Sequence, residues 1–208
     1  MGPPGVGKGT QAKSLEERTG IPHISAGDIL RHAVRIGTPV GRRVRPYVEA
    51  GKLVPDDLMG DLIGERLGGD GTKGFILDGF PRTVEQVAIL DRILARRGVE
   101  VDRVCILTAP EEEIVRRLSG RRTCPSCGAV YHLESMPPRS PGVCDRCSSA
   151  LVQRPDDAED VIRERLRVYH RQTLPVADTY RDRSLLREVD GTGDPSVVLQ
   201  RLEGCLSA

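Results

Sequence analysis

No stretch constrains this chain more than Gly2-Pro3-Pro4-Gly5-Val6-Gly7-Lys8-Gly9-Thr10. Its Gly-x-x-x-x-Gly-Lys spacing is that of a phosphate-binding loop. Glycines let successive backbone N–H groups turn inward around a polyphosphate, and the helix that follows aims its positive N-terminus at the same anion. Lys8 is then placed to reach the phosphoryl group in transfer. One detail departs from the general pattern. Gly9 follows the lysine where Ser or Thr is usual, so the hydroxyl that commonly ligates Mg²⁺ is displaced to Thr10.

Behind the loop, punctuation by Gly and Pro divides the 208 residues into alternating helices and strands. Helices are predicted over 8–19, 28–36, 40–50, 56–67, 83–97, 110–118, 158–180 and 195–206, most of them closed by a glycine such as Gly20, Gly37, Gly51 or Gly98. Pro46 is expected to kink the third of these. Short strands are predicted at 23–25, 74–77, 101–107 and 185–189, with a fragment at 130–132. The run 74–77 is apolar and breaks on Asp78-Gly79, as a buried strand does when it delivers polar groups at its end. Strands alternating with helices predict an α/β fold with a parallel sheet flanked by helices. The length fits one domain with insertions.

Residues 120–157 change texture, being rich in Gly, Pro, Ser and Cys, and read as an inserted module. Cys124-x-x-Cys127 and Cys144-x-x-Cys147 are separated by a spacing that suits a four-thiolate zinc knuckle. Four thiolates leave no open position for a catalytic water, so this zinc is expected to be structural, holding together a loop too small and polar for its own core. Cys105 and Cys205 are expected to be buried small apolar residues. The four His show no metal-ligand spacing and are assigned no chemistry.

The charge balance, 31 basic against 30 acidic residues, excludes a polyanion binder that works by bulk charge. With no Trp, two Phe and four Tyr, the core must be aliphatic, and the composition weighs against broad aromatic stacking on single-stranded nucleic acid. The same two facts weigh against a nonenzymatic zinc module that recognises nucleic acid or protein. No apolar run reaches the ~18 residues of a membrane span. The opening carries Lys8 among Gly and Pro and is not that of a secretory signal, so a cytoplasmic location is expected.

The string G-P-P-G-V-G-K-G-T resembles the opening of adenylate kinases. The resemblance continues through S-A-G-D-I-L-R (25–31), A-G-K-L-V (50–54), D-G-F-P-R-T (78–83), G-R-R (120–122) and R-L-R-V-Y-H (165–170), in the family's order over nearly the whole chain. It implies a P-loop kinase fold with a core of 1–24, 55–119 and 158–208. A nucleoside-monophosphate-binding part (25–54) and a zinc-binding lid (120–157) are inserted into it. The implied reaction is ATP + AMP ⇌ 2 ADP, with Mg²⁺ accompanying ATP, catalysed by a cytoplasmic monomer without nucleic-acid or membrane partners.

The resemblance also assigns residues. Lys8, Arg82, Arg121, Arg154 and Arg165 form the catalytic ring of cations, as befits a transfer that asks for positioning and charge stabilisation. ATP is implied at Gly5, Val6, Gly7, Lys8, Gly9, Thr10, Arg117, Arg121, Val130, Tyr131 and Gly193. AMP is implied at Ala26, Arg31, Lys52, Leu53, Val54, Gly79, Phe80, Pro81, Arg82, Gln86, Arg154 and Arg165, with the Gln86 amide pairing with adenine. Asp28 and Asp78 are implied to hold magnesium-bound waters, and Cys124, Cys127, Cys144 and Cys147 the zinc.

Two departures accompany the match. Adenylate kinases carry about five apolar residues before the first glycine, forming a middle strand, whereas this sequence starts Met1-Gly2. Either the protein extends further upstream, or that strand is missing, which would leave neighbouring strands unpaired and could make the chain an inactive truncated form. Ala26 stands where the family usually has Thr facing the base, a substitution frequent in UMP/CMP-type kinases. Those kinases, however, usually carry Asn in place of Gln86 and lack a long zinc lid, so AMP is the favoured acceptor.

Overall fold

A computed structural model describes residues 1–68 and 74–207 (for Ser207, only its place in a helix). Residues 69–73 and 208, which fall within the expected core ranges, lie outside the described residues. The helix α1 (Lys8–Thr19) leaves the glycine loop directly and stops at Gly20. The strand β1 (His23–Ser25) follows, and Ser25 serves as N-cap of α2 (Ala26–Ile36), its hydroxyl accepting from the Asp28 N–H at 3.2 Å. Thr38 caps α3 (Pro39–Glu49) in the same way, with Pro46 inside the helix. These two helices pack so closely that a Cβ on Gly41 would sit 1.9 Å from the Ala33 carbonyl oxygen, so only glycine fits there.

The chain then forms α4 (Asp56–Gly68), β2 (Ile76–Asp78), α5 (Val84–Ala95), β3 (Val104–Thr108) and α6 (Glu111–Ser119). The insert holds a hairpin of β4 (Arg121–Thr123) and β5 (Val130–His132), paired antiparallel. The sequence did not flag β4, because Arg-Arg-Thr has no apolar alternation; pairing with β5 makes it a strand. The run expected as one helix over 158–180 is instead α7 (Glu159–Val168), a π-turn over Tyr169–Thr173, and α8 (Leu174–Asp182). Pro175 explains the break, since it has no N–H to continue the ladder. Finally β6 (Leu186–Asp190) leads to α9 (Pro195–Ser207).

The central strands are parallel, in two pairs. Ser25 lies beside Asp78 in β1–β2, and Thr108 beside Asp190 in β3–β6; among the described residues neither pair bonds to the other. Met1 lies along β3, where its carbonyl accepts from the Leu107 N–H at 3.0 Å and its amino group donates to the Cys105 carbonyl.

One apolar cluster joins β1, α3, α4 and α5 through Val44, Ile63, Phe80 and Leu94. A second packs Val176 and Tyr180 of α8 against β3. Cys105 and Cys205 are half-buried at the edge of a third around Val6 and Leu107, rather than fully buried as expected. The insert has only a small cluster of Cys124, Ala129, Tyr131 and Cys144. It touches the 25–54 part through Arg35, whose Nη1 donates to the Pro125 carbonyl at 2.8 Å.

Candidate active site

The glycine loop carries an unfilled electrostatic demand. Gly7 is the N-cap of α1 and has no side chain to bond the first-turn N–H groups, so these donors are left for a bound anion. Gly5 has φ +78, and a Cβ there would meet Leu118 Cγ at 2.6 Å, so the turn tolerates only glycine. Lys8 folds back over the loop and donates to the carbonyls of Gly2 at 2.8 Å and Pro3 at 2.7 Å. Burial foremost pushes its pKa down to about 7; the Asp78 charge opposes this, and the weaker charges of Arg82, Arg165 and Arg121 add to the lowering.

Five arginines converge on the same space from different elements. Arg82 follows β2 and donates from Nε to the Gly79 carbonyl at 2.8 Å. Arg31 comes from α2, Arg121 from β4, Arg154 from the end of the insert and Arg165 from α7. Burial, reinforced by neighbouring guanidinium groups, lowers the pKa of Arg82 and of Arg165, and brings that of Arg154 down to about 10. Mutual repulsion of this kind is relieved by a polyanion.

Two aspartates that sequence reasoning did not single out hold this ring in shape. The wholly buried Asp157 carboxylate accepts from Arg121 Nη2 at 2.5 Å and Nε at 2.7 Å, and from Arg165 Nη1 at 3.3 Å. Asp156 pairs with Arg165 at 2.9 Å. Their Pro155-Asp156-Asp157 turn leaves no periodic signature, and its partners lie elsewhere in the chain.

Asp78 ends β2 at the carboxyl edge, where open α/β sheets bind ligands. Burial raises its pKa, but the neighbouring His23 imidazole and the charge of Lys8 outweigh that and push it down to about 2, so it stays a carboxylate. His23 Nε2 lies 3.6 Å from Asp78 Oδ2 with its side chain almost fully buried. Having been assigned no chemistry, His23 is thus a neighbour of the site; only the β1–β2 register could have signalled it. Asp28 is exposed and bonds Arg31 Nη2 at 2.8 Å.

Beside Arg82 opens a narrow cleft lined by Ala26, Lys52, Leu53, Val54, Gly79 and Gln86, six of the residues expected to share one nucleotide subsite. Phe80 was expected there too, but its ring packs into the apolar core with Ile24 and Val54, and Pro81 is buried beside it. Arg117 stands apart from the ring of arginines. Glu113 holds its Nε at 2.7 Å, and its Nη1 donates to the carbonyls of Val6 at 3.3 Å and Gly191 at 3.0 Å, near Gly193 in the loop after β6. Val130 is half-buried in β5. The Tyr131 hydroxyl accepts from the Asp145 N–H at 2.9 Å and meets Cys144 Sγ at 3.5 Å. Its side chain is spent inside the insert, and it has only backbone to offer a nucleotide.

The sulfurs of Cys124, Cys127, Cys144 and Cys147 all lie within 4.8 Å of one another, with the closest approaches at 3.3 and 3.5 Å. Tetrahedral zinc with Zn–S bonds of ~2.3 Å spaces its sulfurs about 3.8 Å apart, so the cluster fits such an ion. The two halves repeat one turn. Gly128 (φ 72) donates to the Cys124 carbonyl at 3.0 Å, and Ser148 (φ 59) to that of Cys144 at 2.8 Å. The Tyr131 hydroxyl, followed by backbone N–H groups, draws the Cys144 thiol down to about 6, while at Cys127 the Ala129 N–H is outweighed by desolvation and the other three sulfurs, which push the thiol up.

A family model described as adenylate kinase matches residues 1–185. Adenylate kinase of Archaeoglobus fulgidus is 49% identical over 207 residues, covering 99% of this chain and 95% of the relative. That of Moorella thermoacetica is 49% identical over 201 residues (96% and 93%), and that of Kosmotoga olearia 50% over 203 (97% and 94%).

Proposed function

The chain belongs to the adenylate kinase family, a family of nucleoside monophosphate kinases, and from that premise we propose that it transfers a phosphoryl group from MgATP to AMP to give two ADP. The observation that carries this reading is the convergence of Lys8 and five arginines between an uncapped helix N-terminus and a separate narrow cleft lined by Ala26, Leu53, Val54 and Gln86.

The α1 N–H groups and Lys8 hold the phosphates of ATP, with its base against Arg117 and the loop carrying Gly193. Arg31 and Arg82 grip the AMP phosphate bidentately, as planar guanidinium groups do. The AMP base enters the cleft of Ala26, Leu53, Val54 and Gln86. Arg121, Arg154 and Arg165 then surround the group in flight and stabilise its spreading charge, while the closed insert excludes water that would otherwise accept it. Asp78 and Asp28 would hold the waters of the Mg²⁺ that accompanies ATP, and that ion would neutralise charge on the phosphates. The four cysteines would hold a structural zinc, which keeps the insert rigid and takes no part in the transfer. The 25–54 and 120–157 parts act as closing elements on the remaining core.

We take the enzyme to act as a monomer, and the described residues include no helix long and apolar enough to cross a membrane. A cytoplasmic enzyme working on free nucleotides is the reading adopted. A coupled assay of ADP formation, with AMP, CMP and UMP offered in turn, tests the acceptor. AMP should give the highest kcat/KM; comparable values for CMP or UMP would transfer the assignment to a pyrimidine kinase, the reading that Ala26 favours.

A further inference from the structure

The side-chain amide of Gln86 reads the base in this reaction, yet a primary amide turned by half a rotation fills the same space with donor and acceptor exchanged. Packing alone does not choose between the two. In this fold the choice is made at both ends. Nε2 donates to Asp56 Oδ1 at 2.8 Å, and Oε1 accepts from the Arg82 backbone N–H at 2.7 Å. Asp56, at the start of α4, is itself fixed by the Thr83 hydroxyl, which donates to its Oδ2 at 3.1 Å. That same hydroxyl caps α5 by accepting from the Gln86 N–H at 3.1 Å.

A carboxylate only accepts and a peptide N–H only donates. Turning the amide would therefore set Oε1 against Asp56 and the NH₂ against the Arg82 N–H. Gln86 is 2% exposed, which leaves little room for water to repair either conflict. An amide has two N–H donors and two lone pairs, and here one of each is used internally. One donor and one acceptor remain for the cleft, in a fixed order. That order matches adenine, which offers an amino group and an adjacent unprotonated ring nitrogen. It opposes a 6-oxopurine, which offers a carbonyl and a protonated ring nitrogen.

We propose that Asp56, which does not line the cleft, is the positioning residue that sets discrimination between 6-amino and 6-oxo purine monophosphates by locking the Gln86 amide. The proposal rests on AMP being the acceptor. AMP and IMP test it, because they share size and phosphate and differ at this base edge.

The readout is the ratio of kcat/KM for AMP to that for IMP, in the parent and in Asp56→Asn. The asparagine keeps the shape but can offer Gln86 a donor, which releases the turned amide. The ratio is expected to fall on the order of tenfold, about 1.4 kcal/mol, and to fall through KM more than kcat. Asp56→Glu, which still only accepts, should restore most of the ratio. If the Asn variant fails to melt cooperatively, Asp56→Ala serves in its place, with an expected drop of roughly threefold because it removes the acceptor without adding a donor.

Equal losses for both nucleotides mean a merely structural role and overturn the proposal. An unchanged ratio in a folded variant of an AMP-selective parent also overturns it, and leaves the acceptor assignment standing. A parent with no preference between AMP and IMP overturns both.

Discussion

Asp157 holds Arg121 through two bonds, 2.5 Å to Nη2 and 2.7 Å to Nε, and its own side chain has no exposed surface. Since the same carboxylate also reaches Arg165, one buried charge orients two of the cations proposed to surround the transferred group. Asp157→Asn keeps the volume and removes the charge. Breaking a buried pair costs about 3 kcal/mol or more of stability, and kcat should fall at least ~10-fold as the guanidinium groups lose their aim. Denaturant unfolding and steady-state kinetics check this; a variant with parental kcat would show that Arg121 and Arg165 are oriented by something else.

Lys8 should be a liability to the empty fold. Its pKa is lowered from the ordinary 10.5 to about 7, so between these values the unfolded chain binds more protons than the folded one. Stability therefore rises with pH across that window, and the cost of the charged lysine is fully present below it. Lys8→Met is expected to raise the Tm of nucleotide-free protein, by more near pH 6 than near pH 10. At the same time kcat should drop by ~10²–10³, as when one preorganised transition-state donor is removed. Coincident melting curves at both pH values would refute the first part, and a variant keeping a tenth of the parent rate the second.

The thiolate cluster predicts about one zinc per chain in protein purified without chelator, the count that a four-sulfur site takes. Cys124→Ser combined with Cys127→Ser, or chelation, should lower Tm and open residues 120–157 to protease before AMP binding is affected. Metal analysis that finds no divalent ion would end this reading.

Ser148 adopts φ 59 at the position where the first turn uses Gly128. A left-handed residue with a Cβ costs about 1–2 kcal/mol, and glycine loses roughly 0.5–1 kcal/mol more entropy on folding. The difference favours Ser148→Gly by about 0.5–1 kcal/mol. Slower proteolysis of the insert at unchanged kcat is the expected outcome, and faster proteolysis would show that the Ser148 side chain contributes more than its backbone costs.

What could be read from the sequence was whatever is local. The loop at 2–10, the helix stops at Gly20 and Gly37 and the two cysteine pairs each depend on residues a few positions apart, and each lies where their spacing puts it. Where individual side chains point depends on distant partners. Phe80 turns to the core and Tyr131 into the insert because of what packs against them, which no neighbouring residue announces. His23, Asp56 and Asp157 matter through Asp78, Gln86 and Arg121, which are far from them in the chain and near only once the strands and the insert are in place.

Arg35 donates to a main-chain oxygen, that of Pro125, inside a turn whose shape the cysteine sulfurs dictate. Every amino acid supplies that oxygen, so changes of side chain at 125 or 126 leave the acceptor standing. The catch between the two closing parts can therefore be retuned from one end only, by what occupies position 35. If the two parts close and reopen as proposed, and reopening limits turnover as it does in many enzymes with lids, position 35 would set speed from outside the proposed catalytic groups. Selection for a colder or hotter setting could act there without touching a residue that meets phosphate.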